Sequence, residues 1–221
     1  MIARQVAQVG GRSLPVYRLN TLVLGAGAAG MNCAAHLFEF LTARGVPRPQ
    51  DRIAVAAAGI GLGASRMSGS DKQTYYKLGT SPAVADSPME FLRALTGFGC
   101  MHGDLALTEA ENSLREFYHL VQAGVPFPHD PEGAYIGYKT DHDPSERATS
   151  AGPKTSRFMS ERLEAQVRRY GIRIFDRQEA LHLLTDDTKG RRVVGLVAFD
   201  RRRRASPSGG LAVYLCRNLV L

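Results

Sequence analysis

The sequence predicts an α/β fold with a parallel central sheet and a small antiparallel β-meander. The apolar run at residues 21–24 is typical of a strand buried on both faces, and the run at residues 53–58 is typical of a second. Between these runs, apolar residues recur at helical spacing from Ala28 to about Ala43, and Gly45 ends the pattern. A strand, a helix and a strand in this order form a βαβ unit, whose two strands are parallel.

The segments that follow predict more helices and then a series of strands. Ser87, Pro88 and Glu90 have the spacing of a helix start, with a capping serine, a first-turn proline and a glutamate three residues after the cap. Helical periodicity also covers residues 107–121 and 158–167, whereas the polar segment 126–152 predicts no regular element. Strand-like runs lie at residues 14–19, 172–175, 180–184, 193–199, 211–215 and 218–221.

The composition is that of a globular protein, with its charge concentrated in one region. The chain has 221 residues and a net charge of +7, and six of the positive charges are arginines at positions 191, 192 and 201–204. The run 201–204 lies between two strand-like segments and precedes a turn rich in serine and glycine. We therefore interpret it as a solvated hairpin tip rather than a phosphate-binding patch, and we expect no nucleic-acid partner.

Cysteine usage and hydropathy bear on location. Cys33, Cys100 and Cys216 are far apart and form no CxxC pair, so we expect neither a disulfide framework nor a zinc site. This pattern is typical of the reducing cytoplasm. No apolar stretch reaches the roughly 20 residues that a transmembrane segment needs, and the first residues lack the pattern of a secretory signal.

Residues 25–30 read Gly-Ala-Gly-Ala-Ala-Gly and fit the dinucleotide-binding pattern GxGxxG, between the first strand and the helix. Gly25 permits the tight turn, Gly27 lets a pyrophosphate approach the backbone, and Gly30 lets the helix pack closely on the strands. The start of the helix offers unpaired N–H groups and a partial positive charge to phosphates. The alternative is a tight strand-to-helix turn without a ligand.

The second predicted strand ends in Ala56, Ala57 and Ala58, without the acidic residue that usually binds a ribose hydroxyl. We therefore expect backbone groups and water to hold the ribose. Because the glycine motif does not by itself separate NAD from FAD, a nicotinamide-dependent oxidoreductase remains an alternative. A cofactor-binding fragment or interaction module without activity is another.

Two segments of the chain resemble a known family. Residues 25–35, which include the glycine loop, and residues 65–73, which read Ser-Arg-Met-Ser-Gly-Ser-Asp-Lys-Gln, are similar to the FAD-binding domain of fumarate reductase and succinate dehydrogenase flavoproteins. The wider group includes L-aspartate oxidase. Residues 122–127, 175–184 and 217–221 are similar to later segments of the same domain, in the same order.

The resemblance implies a Rossmann-like FAD-binding domain of the glutathione-reductase type, with FAD as cofactor. It implies that the glycine loop binds the pyrophosphate, that residues 65–70 lie along the flavin and its ribityl chain, and that the backbone of Ala180 contacts adenine. The predicted cofactor-binding residues are Gly25, Gly27, Ala28, Ala29, Gly30, Gly59, Ser65, Arg66, Met67, Ser68, Gly69, Ser70 and Ala180. Residues 65–70 contain no histidine, so we expect FAD to be bound without a covalent link.

The resemblance also implies hydride transfer between FAD and a small organic acid, with an electron-donor partner. It implies that residues 1–221 form the FAD-binding domain and stop before the third FAD-contacting segment and the capping, substrate-binding domain. We therefore assign no catalytic residue and expect this chain alone to be inactive. Asp141, His142 and Asp143 predict a polar surface loop rather than a metal site.

Overall fold

The computed structural model describes residues 2–69, 73–81, 84–188, 190 and 192–221. The chain divides into two compact units. Unit 1 comprises Met1–Met67 and Leu163–Leu221, and unit 2 comprises Ser68–Arg162. No helix within the described ranges has both the length and the apolar character needed to cross a membrane.

The elements follow the predicted order of helices and strands closely. The strands are β1 (Ala3–Val9), β2 (Arg12–Leu24), β3 (Ile53–Ala56), β4 (Tyr75–Tyr76), β5 (Tyr138–Thr140), β6 (Asp143–Thr149), β7 (Arg173–Phe175), β8 (Glu179–Asp186), β9 (Arg192–Phe199) and β10 (Leu211–Val220). The helices are α1 (Ala28–Ala43), α2 (Ala64–Met67), α3 (Pro88–Thr96), α4 (Gly103–Gln122) and α5 (Thr155–Arg169). Short 3₁₀ turns lie at Pro49–Arg52 and Arg201–Arg203.

The sheet of unit 1 confirms the predicted parallel arrangement. Its strand order is β7-β3-β2-β10-β9-β8, and the neighbours from β7 to β10 run parallel. Strands β10, β9 and β8 pair antiparallel, which confirms the predicted meander. Helix α1 connects β2 to β3, as the βαβ pattern predicts.

The predicted strands at residues 14–19 and 21–24 form one strand, β2, and a further strand that the sequence does not predict, β1, precedes it. Gly10 and Gly11 turn the chain with positive φ angles of 53° and 73°, and β1 pairs antiparallel with the first half of β2. Most residues of β1 are exposed, so its sequence lacks the apolar pattern that marks the buried strands.

The core of unit 1 lies on the central sheet, where Leu22 and Ala54 belong to a buried cluster with Phe175, Leu196 and Tyr214, and where α1 packs on β3. All four residues of β3 are buried, and Leu22 of β2 pairs with Ala54 of β3. On the helix, Met31, Ala34 and Ala35 are fully buried, and two of these three are small. Small side chains let α1 lie close to the sheet, which brings the first turn of α1 next to the ends of β2 and β3.

Unit 2 contains α3, α4 and a small antiparallel sheet of order β4-β6-β5. The predicted cap of α3 is confirmed, because the Ser87 hydroxyl accepts a hydrogen bond from the Glu90 N–H at 3.2 Å. Strands β5 and β6 lie within the segment for which the sequence predicts no regular element. Strand β6 is polar and partly buried, so hydrophobic periodicity misses it.

Unit 2 has a buried ion-pair network around Arg147, whose side chain is 2% exposed. Arg147 donates to Asp86 at 2.6 and 2.8 Å and to Asp143 at 2.7 Å, and its guanidinium carbon lies 4.8 Å from the centre of the Phe91 ring. The sequence predicts that Asp143 lies in a polar surface loop, and for this residue the prediction is wrong, because Asp143 is buried and paired with Arg147.

The environment of Asp86 favours its charged form. Burial raises the pKa of Asp86, but the hydrogen bonds from Arg147 and from the N–H groups of Gly79 and Ser87 outweigh burial and hold the pKa below the ordinary value for aspartate. Removing a partner from a buried ion pair leaves a charge uncompensated, which is more costly than losing a surface pair.

We expect Asp86→Asn to lower the free energy of unfolding of unit 2 by about 3–5 kcal/mol at pH 7. Since the pKa of Asp86 is lower in the folded state, its contribution is present above about pH 4 and is lost as the pH falls through the folded-state value. The difference between wild type and variant should therefore shrink in acid. Urea unfolding followed at pH 7 and at about pH 3 measures this change.

The matched control is Glu90→Gln, which removes an exposed partner of Arg93 and should change the free energy of unfolding by less than about 1 kcal/mol. Equal stability of Asp86→Asn and wild type at pH 7 would contradict the stabilising role of the network.

Candidate cofactor-binding site

The glycine loop lies at the carboxyl end of β2, where the chain turns directly into α1. Gly25 has a φ of +121°, and its N–H donates to the carbonyl oxygen of Ala56 at 2.8 Å. This hydrogen bond joins the ends of β2 and β3. Gly27 then occupies the cap position of α1 in an extended conformation, with no side chain to cap the helix.

Two further glycines of the loop are favoured by the space around them rather than by backbone conformation. A Cβ on Gly30 would overlap the carbonyl oxygen of Gly25, so the first turn of α1 can approach the loop only without a side chain there. A Cβ on Gly27 would lie 3.2 Å from the hydroxyl oxygen of Ser65. The loop is therefore an open backbone surface at the start of a helix.

The N–H groups of the first helical turn have no partners within the helix. The N–H of Ala28 donates to the Ser65 hydroxyl at 3.1 Å. In the described part of the chain, the N–H groups of Ala29 and Gly30 have no hydrogen-bond partner. Together with the partial positive charge of the helix end, these free donors make the loop suited to an anion.

A cavity of about 490 Å³ opens over the loop and brings together predicted residues from distant parts of the sequence. Gly25 and Gly27 line it from β2, Gly59 from the end of β3, and Ala180 from β8. The other lining residues are Leu24, Ala26, Ala57, Ala58, Leu62, Gly63, Gln178 and Glu179. The wall is thus mostly backbone and small apolar side chains, with a few polar groups, which is typical of ligand pockets.

A second cavity of about 560 Å³ adjoins the first. Both are lined by Ala58, Gly59, Leu62 and Glu179. The second cavity is also lined by three basic residues, Arg177, Arg201 and Arg202. Residues 201–204 are exposed, in agreement with the predicted solvated tip, but two of them also line this cavity.

Hydrogen bonds between two loops fix the shape of this region. The N–H of Gln178 donates to the carbonyl oxygen of Ala57 at 2.7 Å, and the N–H of Ile60 donates to the carboxylate of Asp176 at 2.9 Å. The Gln178 side chain in turn accepts a 2.9 Å hydrogen bond from the hydroxyl of buried Tyr214. The residues after β3 are thus tied to those before β8.

The structure does not bring all the predicted residues to the cavity wall. Ala28, Ala29 and Gly30 begin α1 beside the cavity without lining it, and Ser65 contacts the loop through its hydroxyl. The side chain of Arg66 forms a 2.7 Å ion pair with Glu164.

The described residues at the end of the predicted flavin-contacting segment, 67–69, are exposed to solvent. Met67 is 70% exposed, and Ser68 and Gly69, which are assigned to unit 2, are exposed too. Ser70 lies outside the described residues.

Sequence reasoning missed Leu62, Gln178 and Glu179 as lining residues. The signal for the last two was present, because they directly precede Ala180 in the segment predicted to meet adenine. No sequence pattern indicated Leu62, because its position at the cavity depends on the path of the glycine-rich loop after β3.

The fold of the chain is similar to that of several solved oxidoreductases. Quinol fumarate reductase of E. coli has a TM-score of 0.71 at 21% identity, over 92% of this chain and 32% of that one. Adenylylsulfate reductase of Archaeoglobus fulgidus has a TM-score of 0.71 at 18% identity, over 98% and 32% of the two chains. A 3-ketosteroid Δ4-(5α)-dehydrogenase of Rhodococcus jostii has a TM-score of 0.67 at 18% identity, over 90% of this chain and 44% of that one.

These likenesses establish the fold, and the chain spans about a third of the length of the two reductases. Comparison with curated proteins finds no match.

The residues at the loop fit FAD. The cavity has glycine backbone where a pyrophosphate needs close approach, and free N–H donors adjoin it. The neighbouring wall offers Leu62 and alanine side chains to an apolar ring. The FAD binding domain family matches residues 20–210, which include the loop, β3 and the meander. The chain therefore belongs to the FAD binding domain family, and its cofactor is FAD.

Proposed function

We propose that this chain is the FAD-binding part of a flavin-dependent oxidoreductase that transfers hydride to or from a small organic acid. The observation that carries the proposal is the cavity in which the loop of Gly25 and Gly27 meets the start of α1. The family match supports FAD over the nicotinamide alternative. Bound FAD supplies the hydride chemistry, so the task of the protein is to bind and orient it.

In this proposal the pyrophosphate lies against the backbone of Gly25 and Gly27. The free N–H groups of Ala29 and Gly30 donate to phosphate oxygens, and the helix end offsets part of their negative charge. The N–H of Ala28 already donates to the Ser65 hydroxyl, so Ser65 holds the start of α1 in place.

The adenosine and flavin ends are assigned to different segments. We place adenine against the backbone of Ala180, with Gly59 and the apolar side chain of Leu62 on the same wall. We place the flavin and its ribityl chain along residues 65–70. The ion pair of Arg66 with Glu164 anchors the start of that segment within unit 1.

The substrate and partner are proposed from the similar proteins. One similar structure is a quinol fumarate reductase, which supports an organic acid as substrate and an electron-donor partner. Because this chain spans 32% of that protein, we propose that groups binding the acid and moving its proton belong to other parts of a full enzyme, and that this chain alone lacks turnover. The cytoplasmic location stays a prediction.

We predict that FAD binds to the chain and is released by acid. Residues 65–70 contain no histidine to which the flavin could be attached. After FAD is added and the excess removed, trichloroacetic acid should leave a colourless pellet and a yellow supernatant. Flavin retained in the pellet would contradict non-covalent binding, and a native protein that takes up no FAD would contradict the proposed function.

We predict that Gly27→Val weakens FAD binding by about 10- to 100-fold, since forcing a branched side chain into a filled space costs about 1–3 kcal/mol. The φ of Gly27 is −79°, so valine fits the backbone and its side chain alone meets Ser65 and the cavity. Quenching of flavin fluorescence measures the dissociation constant.

Gly103→Val is the matched control, because Gly103 also begins a helix and a Cβ there would meet nothing within 4 Å. Unchanged affinity in Gly27→Val would place the pyrophosphate elsewhere.

A further inference from the structure

The end of β3 has no carboxylate to hold the ribose of a dinucleotide. In the usual arrangement of this fold, an acidic residue at the end of the second strand of the βαβ unit accepts hydrogen bonds from the ribose hydroxyls. Here Ala58 occupies that region, and it is exposed and lines both adjoining cavities. A polar group from another strand or loop could therefore bind the ribose in place of the missing carboxylate.

Glu179, at the start of β8, lines the same space. Among the described residues that line the cavity over the glycine loop, Glu179 is the only one with a charged side chain. It also lines the second cavity together with Ala58 and Gly59. Its position is fixed by the sheet, because Glu179 pairs with Phe199 of β9.

The other two carboxylates that line the second cavity already accept hydrogen bonds from backbone N–H groups. Asp176 accepts hydrogen bonds from the N–H groups of Ile60 and Arg177, each at 2.9 Å. Asp200 accepts from the N–H of Arg202 at 3.0 Å and caps the 3₁₀ turn that follows. Both side chains therefore shape the loops, and neither is free to turn toward a ligand without disrupting them.

The Glu179 carboxylate is held less tightly than those of Asp176 and Asp200. Its carboxylate accepts one hydrogen bond from Arg201 at 3.2 Å, and the two side chains are 44% and 80% exposed. Exposed pairs of this kind contribute little to stability, so Arg201 orients the carboxylate without consuming it. A carboxylate has more acceptor positions than this one bond uses.

The surrounding charge allows a carboxylate so close to a diphosphate. Arg177, Arg201 and Arg202 line the same cavity and offset its negative charge. A ribose placed between the carboxylate and the phosphates would also separate the two like charges.

We propose that the Glu179 carboxylate binds the hydroxyls of the adenosine ribose of FAD, and so replaces from β8 the acidic residue that β3 lacks. This inference rests on the proposed binding of FAD at the glycine loop. It changes the expectation that backbone groups and water alone hold the ribose, and it assigns the second cavity to the adenosine end of the cofactor.

The first test is the FAD affinity of three variants, measured by quenching of flavin fluorescence. A hydrogen bond to a charged acceptor corresponds to about a 10- to 100-fold change in affinity, so Glu179→Ala should weaken binding by that factor. Glu179→Gln keeps a neutral acceptor, so its affinity for FAD should lie between those of wild type and Glu179→Ala. Asp187→Asn removes the same charge from an exposed site beyond the end of β8 and should leave the affinity unchanged.

The second test identifies the ribose hydroxyls as the partner. ADP and 2′,3′-dideoxy-ADP are compared as competitors that displace FAD. The wild type should bind ADP more tightly than 2′,3′-dideoxy-ADP, by roughly the factor by which Glu179→Ala weakens FAD binding. The Glu179→Ala variant should bind the two competitors equally, because removing the hydroxyls and removing the carboxylate abolish the same interaction. Adding Ala58→Glu to Glu179→Ala should restore both the affinity and the preference.

The outcomes separate this inference from the proposed function. If Glu179→Ala binds FAD within twofold of wild type, or binds weakly but still prefers ADP, the role of Glu179 is wrong while FAD binding stands. If the wild type takes up no FAD, the proposed function itself fails. Circular dichroism identifies a variant that has not folded, and in that case Glu179→Gln decides.

Discussion

The site depends on how closely the first turn of α1 approaches the end of β2. A side chain on Gly30 would occupy the position of the Gly25 carbonyl oxygen, so this approach exists only because Gly30 has none. The approach directs the free N–H groups of the helix start at the open loop between Gly25 and Gly27. In the same loop, the N–H of Gly25 donates to the carbonyl oxygen of Ala56 and joins the ends of β2 and β3.

Topology then brings distant sequence to the same edge. Strands β2, β3 and β7 are parallel, so their carboxyl ends lie side by side, and the chain leaves β7 directly into the residues before β8. Hydrogen bonds from Gln178 to Ala57 and from Ile60 to Asp176 close this arrangement. In the proposed arrangement, the start of α1 provides positive potential for phosphates, and β8 provides backbone groups and the Glu179 carboxylate for the adenosine end.

Local signals predicted the parts of the fold that local physics determines. The apolar runs, the period of α1 and the glycine spacing identified the βαβ unit, because burial and close packing leave a direct trace in the residues. The hairpin of β1 is exposed, and β6 is polar around Arg147, so neither has such a trace. Glu179 was missed for a different reason, since its place in the cavities that Ala58 also lines depends on pairing between β8 and β9, which the sequence alone does not determine.

We propose that the glycine loop and the ends of β3 and β8 form one phosphate and adenosine site. Backbone amide shifts in a ¹⁵N-labelled sample titrated with ADP test it most directly, because each amide reports separately. We expect saturable shift changes that are largest at residues 25–30, at Gly59 and at residues 179–180. Changes confined to the exposed arginines at 201–204, or no saturable change at the glycine loop, would contradict it.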